Sequence, residues 1–183
     1  MAFNINDLRS QLTFGGAKSS LFQVQITNPI NGLADIKVPF MVKASSIPAS
    51  TLSTIEVPYF GRKIKIAGNR TFAEWSVTVI NDEDFLIRNA MESWMASINT
   101  HNGNVTTLAS ASPLQYKTQA QITQFSKTGA VLRTYEFNGL FPVEISAMET
   151  NWEADGIQEF GVTFQYDWWS VNGGITGDAG TQA

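Results

Sequence analysis

The residues of this chain that could do chemistry are few and scattered. The stretch "GGAKSS" at residues 15–20 looks like a phosphate loop, in which glycine N–H groups and a lysine would cradle an anion. It departs from that pattern because Ala17 rather than glycine precedes Lys18, and no strand leads into it. Asp82, Glu83 and Asp84 could suggest a divalent cation site, but acids at this point suit the positive end of a helix beginning there. His101, in "NTHNGN", is the only histidine, so a Ser-His-Asp site would have to use it. A lone histidine in a turn-like loop reads as solvated. There is no cysteine, which excludes disulfides, thiol catalysis and cysteine metal sites. The chain has no HExxH and no GxSxG. No catalytic, cofactor-binding or metal-ligating residue is assigned, no cofactor is implied, and the chain reads as a non-enzyme.

The segment that stands out is "VPYFGRKIKIAGNRTFAEW", residues 57–75, which sets Arg62, Lys63, Lys65 and Arg70 among apolar residues. It is too basic for a core strand and too apolar for a disordered loop. Nucleic-acid binding would need a basic domain, whereas this chain carries a net charge of −4. The charge is unevenly spread. Residues 1–133 hold all 12 Lys and Arg with 8 of the 16 acids, while residues 134–183 hold the other 8 acids and no base. Two readings follow: a fold with one acidic face, or a molecule with one end complementary to the other end of its neighbour.

With 183 residues the chain suits one domain with a substantial core. It has no apolar run long enough for a membrane helix, and its first twenty residues lack the basic and apolar regions of a secretory signal, so no membrane anchor is expected. Most of the sequence alternates with period two. Strands are expected at 21–26, 36–45 (with Pro39 marking an edge or bulge), 74–80, 120–125, 131–137, 139–145 and 159–169. In the last, Phe160, Val162, Phe164, Tyr166 and Trp168 would share one unbroken face. "STIEVPYF" and "RKIKIAG", joined at Gly61, form a hairpin in which Ile64 and Ile66 alternate with Lys63 and Lys65. The period changes at 81–99, where Ile87, Met91, Trp94, Met95 and Ile98 make one apolar helical stripe, capped at Asn81 or Asp82. Residues 100–118 read as a loop.

The expected fold is mainly β: a barrel or sandwich of about seven to nine strands with one flanking α-helix and an extended hairpin arm. Residues 1–169 would form the single domain, with 1–20 as an N-terminal segment, 50–72 as the arm and 81–99 as the helix. Residues 170–183, rich in Gly and Thr, would be a flexible extension.

The pieces "PYFGRKIKIAGNRTF", "WSVTVINDEDF", "EFNGLFPVEIS" and "NWEADGIQEFGVTFQYDWW" together resemble the tail tube proteins of contractile-tailed bacteriophages, over roughly residues 20–169. The resemblance implies a structural virion protein assembled in the host bacterial cytoplasm. Six copies would form a ring, and rings would stack head to tail inside a contractile sheath. Baseplate or tube-initiator and tape-measure proteins would be further partners, and DNA would pass through the lumen without specific binding. Acids of the C-terminal part or of the barrel strands would face that lumen. A head-to-tail contact joins two different surfaces of one protein, which suits a basic middle and an acidic end. In this light residues 50–72 are an assembly arm: Val57, Tyr59, Phe60, Ile64 and Ile66 would bury apolar area on a neighbour, and Arg62, Lys63, Lys65 and Arg70 would meet its acids. Two alternatives remain within reach of the sequence. One is the tube or tube cap of a phage-like injection particle or secretion system. The other is a lectin-like β-sandwich using Trp152, Trp168 or Trp169.

Overall fold

Alternating apolar residues must be covered by a second layer, and in the computed structural model, which describes residues 4–107 and 111–173, two sheets face each other. Among the described residues there are nine strands: β1 (Phe22–Ile26), β2 (Val42–Ser45), β3 (Ser50–Tyr59), β4 (Arg62–Phe72), β5 (Trp75–Ile80), β6 (Thr118–Phe125), β7 (Val131–Ile145), β8 (Glu159–Gln165) and β9 (Trp168–Asn172). Seven of them follow one antiparallel path from β1 through β6, β7, β8 and β5 to β2, with β9 added on β7. The expected sandwich is present; the path does not close into a barrel.

Strand β7 is the corner. Its first half pairs with β6 and β9, and its second half pairs with β8. The sequence suggests two strands here, but the chain runs through, bending at Gly139 (φ 70°). A side chain at Gly139 would collide with Asp167, so glycine is required both for its backbone angle and for space. Trp75, Phe137 and Phe164 meet between the two sheets, with the rings of Trp75 and Phe137 stacked at 4.3 Å. Each such ring contributes roughly 1.5–3 kcal/mol by leaving water.

The helix expected at 81–99 is α3 (Leu86–Ile98), which follows two short helices, α1 (Ile5–Gln11) and α2 (Val38–Met41). Ile87, Ala90, Met91 and Trp94 of α3 are buried, and the Trp94 indole N–H donates to the Tyr116 carbonyl at 2.9 Å. The buried Asn28, just past β1, ties this helix down by donating to the Ala90 carbonyl at 3.0 Å. Its own backbone N–H donates to Asp35, whose carboxyl burial pushes above the ordinary range despite that hydrogen bond.

Several expectations are corrected. Residues 36–45 are not one strand: Pro39 opens the turn of α2, because its fixed φ suits the start of a helix, and only then does β2 begin. The helix is not capped by Asn81 or Asp82. Asn81 is drawn into the sheet end by donating from its backbone to Gln158, and the chain turns through Phe85 (φ 50°) before α3 starts. The loop at 100–118 contains a fourth helix, α4 (Pro113–Tyr116), and leads directly into β6. The strand expected at 159–169 breaks after Gln165. Asp167, held by Lys117 at 2.7 Å and by the Asn138 carbonyl at 2.9 Å, redirects the chain so that β9 joins the other sheet. Tyr166 stays buried while Trp168 is half exposed. Ser170, Val171 and Asn172 belong to β9 rather than to a flexible extension, and 174–183 lie outside the described residues.

Candidate assembly surface: the exposed hairpin

Strands β3 and β4 form a sheet of their own. A two-residue turn at Phe60 (φ 43°) and Gly61 (φ 80°) joins them, both central residues taking the positive φ that matches the twist of a hairpin. The pairing runs Tyr59 to Arg62, Val57 to Ile64, Ile55 to Ile66 and, beyond a bulge at Ser53, Leu52 to Arg70 and Ser50 to Phe72. Gly68 sits in the bulge, where a side chain would meet Ser53. At the root, Phe72 packs against Tyr166 and Trp169, with ring centroids 5.9 and 6.4 Å apart. Beyond that root every residue of the arm except Gly68 is exposed. Ten residues of strand carry the tip roughly 30 Å from its base.

Register and alternation sort the side chains by face. Ile55, Val57, Tyr59, Ile64 and Ile66 share one face, with Arg62 at its end. Lys63, Lys65 and Arg70 stand on the other with Glu56. The five apolar residues are between 42% and 66% exposed, and Phe60 at the tip is 90% exposed. Soluble monomers seldom leave such a continuous apolar strip in water. Lys63 makes an ion pair with Glu56 at 2.7 Å, and Arg70 donates to the Ser50 hydroxyl at 3.2 Å. With four cations and one carboxylate the arm is basic. The structure thus brings all nine sequence-assigned residues onto one projecting element but divides them between two faces and the tip. Ile55 was missed, although the "TIEVPY" alternation carries it.

The chemistry considered from sequence alone does not converge. His101 is exposed in a turn. Asp82 and Asp84 do approach each other, because residues 82–85 form a turn rather than helix, and both bind the Lys37 ammonium at 2.5 Å. That ammonium and nearby backbone N–H groups hold both carboxyls below the usual range. Trp152 precedes β8 and Trp168 follows it, so they lie beyond opposite ends of one strand, while Trp169 packs beside Phe72 and Tyr135. They form no common stacking platform.

The profile of the family described as phage tail tube protein matches residues 17–172. The chain is also 34% identical over 155 residues to tail tube protein gp19 of Enterobacteria phage T4, covering 84% of this chain and 90% of that one. The chain belongs to the phage tail tube protein family. Solved structures share its fold. The tube-terminating cap of the anti-feeding prophage superposes with a TM-score of 0.64 at 16% identity, covering 85% of this chain and 90% of that one. A chain of the sheath–tube complex of the extracellular contractile injection system PVC gives 0.59 at 14%, covering 93% and 98%. For a phage tail tube protein the surface of interest is one that assembles, and among the described residues the hairpin leaves apolar area uncovered along a whole two-stranded sheet.

Proposed function

We propose that this protein builds the inner tube of a contractile phage tail, six copies to a ring and rings stacked head to tail, with the β3–β4 hairpin as the arm that joins subunits. The carrying observation is the arm itself: a hairpin roughly 30 Å long with an apolar strip on one face and basic side chains on the other. A lone two-stranded hairpin is marginal in water, so burial on a neighbour supplies the packing it lacks. Val57, Tyr59, Phe60, Ile64 and Ile66 bury against that neighbour, and Arg62, Lys63, Lys65 and Arg70 meet its acids. The role is structural rather than catalytic. The protein is a virion component assembled in the host bacterial cytoplasm, surrounded by sheath, started on a baseplate or tube initiator and measured by a tape-measure protein. Among the described residues no helix is long and apolar enough to cross a membrane.

The lumen must let DNA slide. The outward face of β1, β6 and β7, bearing Gln23, Gln25, Gln119, Gln121, Thr123, Thr134, Glu136 and Asn138, suits its wall. That set holds one acid and no Lys or Arg, and its amides bond each other, as Gln121 does to Gln25. Such a surface offers no cation to displace the counterions that DNA phosphates carry. Tight retention of DNA by assembled tubes in low-salt filter binding overturns this part of the reading.

Negative-stain electron microscopy of concentrated wild-type protein beside an Arg62→Glu/Lys63→Glu/Lys65→Glu variant tests the whole. Hollow tubes from the wild type and none from the variant are expected. Tubes from both remove the charge role of the arm, and a persistent monomer removes self-assembly.

A further inference from the structure

The hairpin needs a seat, and among the described residues the loop between β7 and β8 offers a surface that fits it. The loop at 147–157, between β7 and β8, contains Glu149, Glu153 and Asp155 and no base. Its Trp152 side chain is fully exposed and Ile157 is 74% exposed. An asparagine turn, with the Glu153 N–H donating to the Asn151 side chain at 3.1 Å, presents this stretch outward. Glu83 stands exposed at the same end, because Asn81 is bonded to Gln158 at 2.8 Å. A loop that carries exposed apolar area and acids complements an arm that carries an apolar face, Arg62 at the end of that face and a basic face behind it.

The two surfaces lie at opposite ends of one sheet. Strands β5 and β8 pair from Trp75–Phe164 at one end to Ile80–Glu159 at the other. The hairpin enters at the Trp75 end, with Phe72 three residues away, and the loop leaves at the Glu159 end, roughly 20 Å off along six strand residues. The arm is exposed along its length and Trp152 is fully exposed, so neither surface is covered by its own chain, and a copy displaced along the strands can bring them together. Docking of two arms on each other would bring together two elements that each carry four bases and one acid, which like-charge repulsion opposes.

We propose that the 147–157 loop is the seat on which the hairpin of a second copy docks, with Trp152 and Ile157 against the apolar face and Glu149, Glu153 and Asp155 toward Arg62 at the end of that face and the long lysine side chains that reach round the hairpin's edges. This rests on the tube reading and adds which surface of the chain receives the arm. Because seat and arm differ, the contact is heterologous, and between stacked rings, where the operation does not close on itself, it repeats along the tube.

The test uses two full-length variants with opposite reversals: Glu149→Lys/Glu153→Lys/Asp155→Lys in the loop, and Arg62→Glu/Lys63→Glu/Lys65→Glu in the arm. All six side chains are exposed, and circular dichroism checks that both variants fold. Each alone sets like charges face to face, and the sedimentable tube yield is expected to fall by at least about tenfold. Mixed, the acidic arm meets the basic loop and the basic arm meets the acidic loop, so tubes return. A second readout uses the absence of native cysteine: Tyr59→Cys and Trp152→Cys proteins, mixed and oxidised, are expected to form a disulfide-linked dimer. Loop reversal that leaves tube yield unchanged, or folded variants that stay unassembled when mixed and give no crosslink, overturns the seat while wild-type tubes keep the tube reading standing. Absence of wild-type tubes strikes the tube reading instead.

Discussion

Strand β8 and the hairpin are written in the same alternation and meet opposite fates. In β8, Phe160, Val162 and Phe164 are all but fully buried, while in the hairpin Ile55, Val57, Tyr59, Ile64 and Ile66 are about half exposed. The difference lies in the neighbours. β8 has a partner strand on each side and a facing sheet, whereas β3 and β4 have only each other. Period-two apolar residues thus mark a face that must be covered, and leave open whether the same chain or another covers it.

The largest effect that would sharpen this contrast is on stability. Trp75→Ala removes the ring stacked on Phe137, and urea unfolding is expected to show a loss of about 3–5 kcal/mol. Ile64→Ser/Ile66→Ser is expected to change monomer stability by no more than about 0.5 kcal/mol, since neither residue packs on the core, yet to stop tube formation. A comparable loss in both would mean that the arm folds back on its own domain.

Next come the glycines. Gly139→Ala strains the bend of β7 and collides with Asp167, so a loss of about 1–3 kcal/mol is expected from thermal melts. Gly61, with a positive φ but open space around it, should cost less when replaced by alanine, and the change should be confined to the arm. Hydrogen exchange then separates the regions without mutation. Amides of β3 and β4 should exchange well before those of β8 in free protein and become protected in tubes. Equal protection of the two regions in free protein breaks the comparison.

The smallest effect lies at the surface, where Lys37 joins Asp82 and Asp84. Their folded pKa values lie below the ordinary 3.8, so the contribution is present at neutral pH and lost as pH falls through those lowered values. Lys37→Met should therefore melt slightly below wild type at neutral pH, with the gap closing in acid. A gap that stays constant with pH rules out the ion pairs as its source.

Much of this was legible in the sequence. The strand at 21–26, the Gly61 hairpin and the stripe of Ile87, Met91 and Trp94 appear where alternation or helical spacing puts them, because both periods follow from backbone geometry alone. The arm's basic and apolar residues were legible for the same reason. The breaks were not. Pro39 suits an edge or bulge of a strand as well as the start of a helix, and whether Phe164 and Trp168 share a strand depends on groups far along the chain, with Asp167 meeting Lys117 and Asn138.

The sequence by itself determined the β character, the long helix after β5, the charge asymmetry and the family, since each is a property of local order and composition. Only the tertiary structure decided which alternating faces are covered, that β7 serves both sheets, and that the root of the basic arm and the acidic Trp152 loop stand at opposite ends of the β5–β8 pair. Those are relations between segments distant along the chain. They arise from packing and strand register, which no local pattern carries.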